Sequence, residues 1–253
     1  MSAEQWSVLF LMFVRITALV TVLPFFSWRG VPALAKIGFS ALLAYLLFLV
    51  QNPAPQPLQA HFFLHVLSAG SEVLFGLALG FAVMLIFAAI RIGGQLIDMQ
   101  AGLIMSSIFD PQAGSHVTLF GQFYYLFAIV FYLSLNGHHM LFAALARSFV
   151  LVPPGGAVFQ ASLVPHFMHF FFQMFVIAFQ LAAPVVMVLI FSDLALGLIS
   201  KTVPQLHVFM VGMPLKAGVA LFIIYIIFPY FAQVLETVFN QLHGNLSQII
   251  GLL

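Results

Sequence analysis

Residues 61–90 read HFFLHVLSAGSEVLFGLALGFAVMLIFAAI and contain one acidic residue, Glu72. An α-helix needs about 20 mostly apolar residues to cross the hydrocarbon core of a bilayer. This run exceeds that length, so it predicts a membrane-crossing helix. Five further runs have the same apolar character: Trp6–Trp28, Ala33–Val50, Val117–Leu135, Phe167–Ile199 and His207–Leu235. Two weaker candidates are a shorter apolar piece at His138–Val152 and a mildly amphipathic tail at Glu236–Leu253.

The composition of the whole chain agrees with a membrane protein. Of its 253 residues, 64% are hydrophobic and 5% are charged, with a formal net charge of +1. A soluble domain has about 25% charged residues, so too few polar side chains are present to cover a water-exposed surface. High hydrophobicity also excludes intrinsic disorder, and the small net charge gives no reason to expect nucleic-acid binding. Because the chain has no cysteine, disulfides and thiolate metal sites are excluded.

These patterns predict an all-α, polytopic, membrane-associated protein of helical hairpins with about six hydrophobic segments. Three charged residues lie inside apolar runs, namely Arg15, Glu72 and Asp193. A charge at the centre of a membrane helix costs about 2.5–3.5 kcal/mol, so we expect these side chains to face protein or water. Prolines inside the runs predict kinked and broken helices: Pro24, Pro184, Pro214 and Pro229.

The basic residues predict an orientation. If the six runs cross the membrane, one set of connections holds most of the Lys and Arg residues. The positive-inside rule places that set in the cytoplasm and both termini outside it. The richer set has Arg29, Lys36, Arg91 and Lys201, with Lys216 nearby, and the other set has Arg147 alone.

Several small residues indicate close helix packing. Gly76 and Gly80 have the small-xxx-small spacing that lets two backbones approach, either within this chain or at a subunit contact. In the stretch 91–102, Gly93, Gly94 and Gly102 permit a bend or a close approach. Arg91 and Asp98 are seven residues apart and share a face of a helix, so they are a candidate charge pair.

The segment Leu103–Gly114 combines turn signals with large apolar side chains. Asp110-Pro111 favours a turn, whereas methionine and other flexible apolar residues can fill irregular gaps. A hydrophobic constriction can block passage by excluding water, so the segment is either a closure or an ordinary loop with a local hydrophobic contact. The residues that would form the closure are Met105, Ile108, Phe109, Asp110, Pro111 and Gly114.

A second distinctive stretch, 201–216, separates the last two apolar runs. We expect a short cytoplasmic turn with a helix restarting after Pro204. The residues assigned to this turn are Lys201, Pro204, Gln205, Pro214 and Lys216.

No pattern of catalytic residues is apparent. The chain has no phosphate-binding glycine-rich loop, and no Gly-x-Ser-x-Gly motif. The pairs His61/His65 and His166/His169 have helical spacing but no evident third metal ligand. We therefore expect no enzymatic activity, no cofactor and no metal.

A proton-coupled secondary transporter is one functional class that remains as an alternative, since charges inside broken helices are typical of that class, although no inverted repeat is visible.

Eight short blocks follow one another along the chain: Gly76–Phe81, Gly93–Gly102, Asp110-Pro111, Asn136–His138, Ser148-Phe149 with Pro153 or Pro154, Leu194–Ile199, Pro204–Leu206 and Pro214–Lys216. Taken together and in this order, they resemble the FliR family, the R subunits of the bacterial flagellar type III export gate. The resemblance covers about residues 4–235, and the stretches 205–209 and 212–216 are closer to the flagellar branch. The T subunits of the injectisome gate, used in virulence secretion, are similar in plan and remain an alternative.

The resemblance implies a core gate subunit, present once per complex with P and Q subunits. A P-like region of about residues 1–190 would be fused to a Q-like hairpin of about 191–253. The helices would form a cone lying largely outside the bilayer plane, in the flagellar basal body at the bacterial inner membrane. Unfolded rod, hook and filament proteins would pass through it, with further gate components and an ATPase on the cytoplasmic side.

The family's plug loop would map onto about Met105–Gly114 and close the channel together with a ring of methionines on the P subunits. This sequence departs from the family pattern at Glu72 and Asp193, where uncharged polar residues are expected. Asp98 stands in for a family acid that lies nearer Arg91.

Overall fold

The structure is a computed structural model that describes residues 2–27, 30–53, 62–104, 118–202 and 208–252. Within these ranges the chain forms α-helices and no strand, which confirms the all-α fold class. The helices are α1 Ala3–Val22, α2 Ala33–Gln51, α3 Phe62–Gln100, α4 Leu119–Ser134, α5 Gly137–Leu151, α6 Leu163–Thr202 and α7 Val208–Leu252.

Five helices, α1, α2, α3, α6 and α7, are long and apolar enough to cross a membrane. Helices α4 and α5 pass the same test as a pair, although they are bent by 68° at the break between them. The break contains Asn136, whose φ of 57° lies in the left-handed region that asparagine tolerates better than most residues. The described residues therefore contain five helices that could span a membrane, or six spans if the bent pair counts as one, which indicates a multi-pass helical membrane protein.

Two helices are longer than the sequence patterns indicate. The apolar run 61–90 ends before Arg91, but α3 continues through Gly93 and Gly94 to Gln100. The sixth run and the tail were expected to be separate helices, but α7 is continuous from Val208 to Leu252. No proline lies between the two predicted pieces of α7, so nothing in that sequence removes a backbone hydrogen bond there.

By packing, the chain divides into two units that alternate along the sequence. Unit 1 consists of Met1–Ile86, Leu133–Phe170 and Phe239–Leu253, and unit 2 consists of Phe87–Tyr132 and Phe171–Val238. The boundary near residue 190 between P-like and Q-like regions stays a prediction.

Unit 1 is built on α1 and the first part of α3. Its fully buried side chains include Met12, Ile16 and Phe75, and α2 packs against α1. The ring of Phe39 on α2 lies 5.8 Å from that of Phe142 on α5, so aromatic contacts also join these two helices.

Unit 2 has an aromatic core between α4 and α7. Tyr124 is buried with its ring 4.3 Å from that of Phe231, and the rings of Phe127 and Phe228 are 4.7 Å apart. Such ring pairs add about 0.5–1.5 kcal/mol each beyond the area they bury. This packing fixes α4 in unit 2 at the point where the segment 105–117 ends.

Candidate functional site

The predicted plug residues Met105, Ile108, Phe109, Asp110, Pro111 and Gly114 lie outside the described residues, and so do Pro204 and Gln205. The structure does describe both flanks of the plug segment. These are the end of α3 with the turn Ala101–Ile104, and Thr118 with the beginning of α4. The candidate site is therefore built from these flanks.

Helix α3 ends in a glycine-dependent cap. Gly102 has a φ of 78°, in the left-handed region that glycine adopts without steric penalty. The amide of Leu103 donates to the carbonyl of Asp98 at 3.0 Å, and the amide of Gly102 donates to the carbonyl of Met99 at 3.2 Å. These are the two hydrogen bonds of a Schellman motif, so the point at which the chain leaves α3 is well defined.

The side chain of Asp98 binds the beginning of α4. It is fully buried, and its Oδ1 and Oδ2 accept hydrogen bonds from the amides of Phe120 at 3.0 Å and Gly121 at 2.9 Å. The first amides of a helix have no partner within the helix, and the helix dipole favours a negative charge there. We call this arrangement of Asp98, Phe120 and Gly121 the Asp98 clamp.

The expected charge pair of Arg91 and Asp98 is wrong. Arg91 is exposed, and its guanidinium carbon lies 5.7 Å from the centre of the Tyr125 ring. Asp98 is buried and both of its oxygens are occupied by amides. Two residues seven positions apart on a helix are separated by about 10.5 Å along its axis. The first amides of α4, in contrast, lie within hydrogen-bonding distance of the Asp98 carboxylate.

Two of the predicted packing glycines allow this approach. A Cβ on Gly94 would lie 2.5 Å from the carbonyl oxygen of Phe120, and a Cβ on Gly93 would lie 3.0 Å from that of Ala178 on α6. Gly121, which the sequence analysis did not single out, is equally confined, because its Cβ would lie 2.8 Å from Cγ of Gln95. Close packing against α4 and α6 thus explains why α3 continues through a glycine pair.

A mostly apolar cavity of about 490 Å³ lies beside the end of α3. Its polar edge is an ion pair in which Lys216 Nζ is 2.9 Å from Asp193 Oδ1, and Gln100 Nε2 donates to Asp193 Oδ2 at 2.9 Å. Asp193 is therefore partnered within unit 2, and its side chain is 43% exposed. The cavity is lined by Met99, Ala101, Gly102, Ile104, Asp193, Leu196, Gly197, Gly212, Met213 and Lys216.

The predicted turn 201–216 is shorter than expected. Lys201 is exposed in the last turn of α6, but Pro214 and Lys216 lie inside α7, which begins at Val208. A proline inside a helix removes one backbone hydrogen bond without necessarily ending the helix. Assigning Pro214 and Lys216 to the turn was therefore wrong.

In unit 1, Arg15 and Glu72 form a fully buried ion pair. Nε of Arg15 donates to Glu72 Oε2, and Nη2 donates to Oε1 at 3.0 Å. Nη1 donates to the Ser148 hydroxyl at 3.1 Å, and Nη2 also donates to the Val152 carbonyl at 3.2 Å. The amide of Gly155 completes the Arg15–Glu72 cluster by donating to Glu72 Oε1 at 2.7 Å.

The Arg15–Glu72 cluster is held by close helix packing. The guanidinium carbon lies 3.9 Å from the centre of the Phe75 ring. A Cβ on Gly76 would overlap the carbonyl oxygen of Arg15, and one on Gly80 would lie 3.2 Å from that of Leu19. Gly76 and Gly80 therefore pack α3 against α1 within unit 1. The sequence indicates that burying the charges of Arg15 and Glu72 is costly. It does not indicate that they pair with each other, because they lie 57 positions apart.

Among the described residues, no group of three or more His, Asp or Glu side chains is placed to hold a metal ion. Of the two histidine pairs, His61 lies outside the described residues. His65 Nε2 lies 2.8 Å from the Ser7 hydroxyl, so this ring has a hydrogen-bonding role in packing α1 against α3.

Comparison with known proteins identifies the family. The sequence matches the family described as "Bacterial export proteins, family 1" over residues 6–242. Flagellar biosynthetic protein FliR of Bacillus subtilis (strain 168) is 38% identical over 248 residues, which cover 95% of each chain. The FliR of Pectobacterium carotovorum subsp. carotovorum is 31% identical over 94% of this chain and 90% of the relative. That of Escherichia coli (strain K12) is 28% identical over 99% of this chain and 97% of the relative. The chain therefore belongs to the bacterial export proteins of family 1, and within them to the FliR family.

Proposed function

We propose that this component of the flagellar export apparatus is a core subunit of the protein export gate. In this proposal one copy assembles with P and Q subunits in the bacterial inner membrane, within the flagellar basal body. Together they form the channel through which unfolded rod, hook and filament proteins leave the cell. The observation that carries the proposal is the family match over residues 6–242.

The charges inside the helices support a gate subunit over a proton-coupled carrier. A carboxylate that carries protons must exchange them with water. Glu72 is fully buried and holds Arg15 and the Gly155 amide. The relatives described above are named as flagellar proteins, which favours the flagellar gate over the injectisome gate.

The plug belongs to the same proposal. Residues 105–114, which include Met105, Ile108 and Phe109, would close the channel by forming an apolar constriction that excludes water. The structure supports such a role through the flanks, because α3 ends in a defined cap and α4 begins in hydrogen-bonding contact with it.

The experiment that tests the proposal replaces residues 105–114 with a Gly/Ser linker of equal length. The complex is isolated through a tag on this chain and reconstituted in liposomes for ion-flux measurement. We expect P and Q subunits to co-purify and flux to rise at least several-fold, because a hydrated linker no longer excludes water from the constriction.

A matched control replaces residues 54–60, in the proline-containing connection between α2 and α3, with a Gly/Ser linker of equal length. This control should assemble and leave flux unchanged. Purification of the tagged chain without P and Q subunits would contradict the gate assignment. An assembled complex whose flux is unaffected by the 105–114 replacement would contradict the plug assignment.

A further inference from the structure

Two cavities of unit 2 lie side by side along α3 and α6. The cavity of about 490 Å³ described above is lined in part by Met99, near the end of α3. Met99 also lines a second cavity, of about 340 Å³. The α6 residues at this second cavity include Phe179, Ala183 and Met187. We call the two cavities together the Met99 groove. From Phe179 to Gly197, the α6 residues that line it extend over about 27 Å of helix, the length of about eight residues of extended chain.

The walls of the Met99 groove are apolar and adaptable. A Cβ on Gly197 would meet no atom within 4 Å, so open space lies over that part of α6. Besides Met99, the side chains of Met187 and Met213 line the groove. Methionine has three rotatable bonds and a polarisable sulfur, and it is frequent on surfaces that bind many different sequences. Such walls suit apolar side chains of varied shape better than one ligand of fixed shape.

Hydrogen-bonding groups lie at the edge of the groove. Lys216 Nζ is 2.9 Å from Asp193 Oδ1 and 3.0 Å from Oδ2, and Gln100 Nε2 donates to Oδ2. A lysine ammonium has three N–H donors, and a glutamine side chain also has a carbonyl oxygen that accepts. Since both members of the ion pair are partly exposed, a molecule in the groove can reach a donor and an acceptor there.

These polar groups decide between two candidate occupants, a lipid acyl chain and an unfolded polypeptide. An acyl chain would cover the ion pair without offering hydrogen bonds, and burial of polar groups without partners costs free energy. An extended polypeptide has N–H and C=O groups that can bind the ion pair, while its apolar side chains occupy the cavities. Asp193 also lies inside an apolar run, and charges in membrane helices commonly mark the path of a substrate. The chemistry of the groove therefore favours a polypeptide.

We propose that the Met99 groove is a binding site for export substrates. It takes a short, extended stretch of unfolded polypeptide, with apolar side chains in the two cavities and main-chain groups at the Asp193–Lys216 pair. This inference rests on the export function proposed above, because that function supplies unfolded polypeptide as the ligand. The adaptable walls let successive segments of different sequence occupy the groove as a chain passes.

The first test fills the groove in the complete complex with P and Q subunits. Gly197→Leu places a side chain in the open space over α6, and leucine favours a helix more than glycine does, so α6 should be retained. We expect secretion of the filament protein, per assembled complex, to fall by about tenfold, the factor that corresponds to losing the burial of one large apolar side chain.

The matched control is Gly218→Leu, which should leave secretion unchanged. Gly218 is also a helical glycine with no atom within 4 Å of its Cβ position, but it is not among the residues that line the groove. Normal secretion by an assembled Gly197→Leu complex would overturn the inference. An equal loss in the two glycine variants would overturn it as well, because the loss would then not depend on the groove.

A second measurement identifies the occupant directly and also decides the case in which Gly197→Leu prevents assembly. Filament protein fused at its C-terminus to a tightly folded domain is used as a substrate that stalls in the complex. A photo-reactive amino acid in place of Met99 should cross-link to this fusion protein. The same amino acid in place of Phe222 should not, although the two side chains are similarly exposed, at 61% and 63%. Products at position 99 that contain lipid or other gate subunits but no fusion protein would refute the site.

Failure of the export function itself is distinguishable from failure of this inference. If the unaltered chain purifies without P and Q subunits, or if its deletion leaves secretion of the filament protein unchanged, the export function fails and the binding site fails with it. If secretion requires the chain but position 99 does not cross-link to the stalled fusion protein, the export function stands and only the binding site is overturned.

Discussion

Arg15 shows how this chain keeps a charge inside an apolar helix. The guanidinium is fully buried, yet Glu72, the Ser148 hydroxyl and the Val152 carbonyl accept its hydrogen bonds. Removing one partner of such a pair leaves an uncompensated buried charge, whereas removing both does not. The Arg15–Glu72 cluster is thus most vulnerable to single substitutions.

We therefore expect Arg15→Leu and Glu72→Leu to reduce the stability of the purified protein in detergent by about 3–5 kcal/mol each. The double variant should lose clearly less than the sum. Some loss should remain, because the Gly155 amide and the Ser148 hydroxyl lose partners at about 1–3 kcal/mol each. Denaturation curves of the four proteins give the coupling. Arg91→Leu, a change at an exposed arginine, is the control and should have little effect. Additive losses would contradict the pairing.

The sequence indicated which charged side chains are costly to bury but not how they are paired. Charges in apolar runs had to face protein or water, and Arg15 and Glu72 do face protein. Their partners come from other helices, and no local spacing records such contacts. For Asp98, the seven-residue spacing predicted Arg91 as the partner. Its carboxylate instead accepts hydrogen bonds from the first amides of α4, which have no acceptor within their own helix.

The helices themselves were largely predictable, because each described helix overlaps at least one of the apolar runs. The differences arise where tertiary packing outweighs local preference. Gly93 and Gly94 weaken an isolated helix, yet α3 continues through them because α4 and α6 pack directly on that backbone. Pro214 marks a break in the sequence but lies within α7.

The close contact between α1 and α3 depends on Gly76. In Gly76→Ala the new Cβ would overlap the carbonyl oxygen of Arg15, so the two helices must move apart. We expect a stability loss of about 1–3 kcal/mol, measured as thermal denaturation of the purified protein.

The control lies in the same helix. Gly70 has open space around its Cβ position, so Gly70→Ala should be neutral or stabilise the protein by up to about 1 kcal/mol through helix propensity. Equal effects of the two substitutions would show that close approach of α1 and α3 is not what Gly76 provides.

The fold class and the family could be predicted from the sequence, because both depend on the order of apolar runs and short blocks along the chain. The sequence did not indicate which parts of the long helices lie in the bilayer. Helix α7 has 45 residues, or about 68 Å at 1.5 Å per residue. The hydrocarbon core is only about 30 Å thick, so about half of α7 must lie outside it.

The side chains that α7 exposes indicate which half is outside. In its first part the exposed positions include Phe222, Tyr225 and Tyr230, which are 63%, 80% and 64% exposed. After Leu235 the exposed positions are all polar or glycine: Glu236, Thr237, Asn240, Gln241, Gly244, Ser247, Gln248 and Gly251. The buried positions of that second part remain apolar, among them Leu242, Leu246 and Ile249. An apolar face on the protein and a polar face outward is the pattern of a helix in water.

We expect the second part of α7 to be in contact with water and the first part to be shielded from it. The chain has no cysteine, so single cysteines can be introduced without background. In open membrane fragments, a membrane-impermeant maleimide should modify Ser247→Cys rapidly and Phe222→Cys slowly, although both positions are exposed in the structure. Thr237→Cys, near the transition, should react at an intermediate rate. Equal protection of positions 222 and 247 would show that lipid or partner subunits cover the whole length of α7, and the polar face would then need a polar partner surface instead of water.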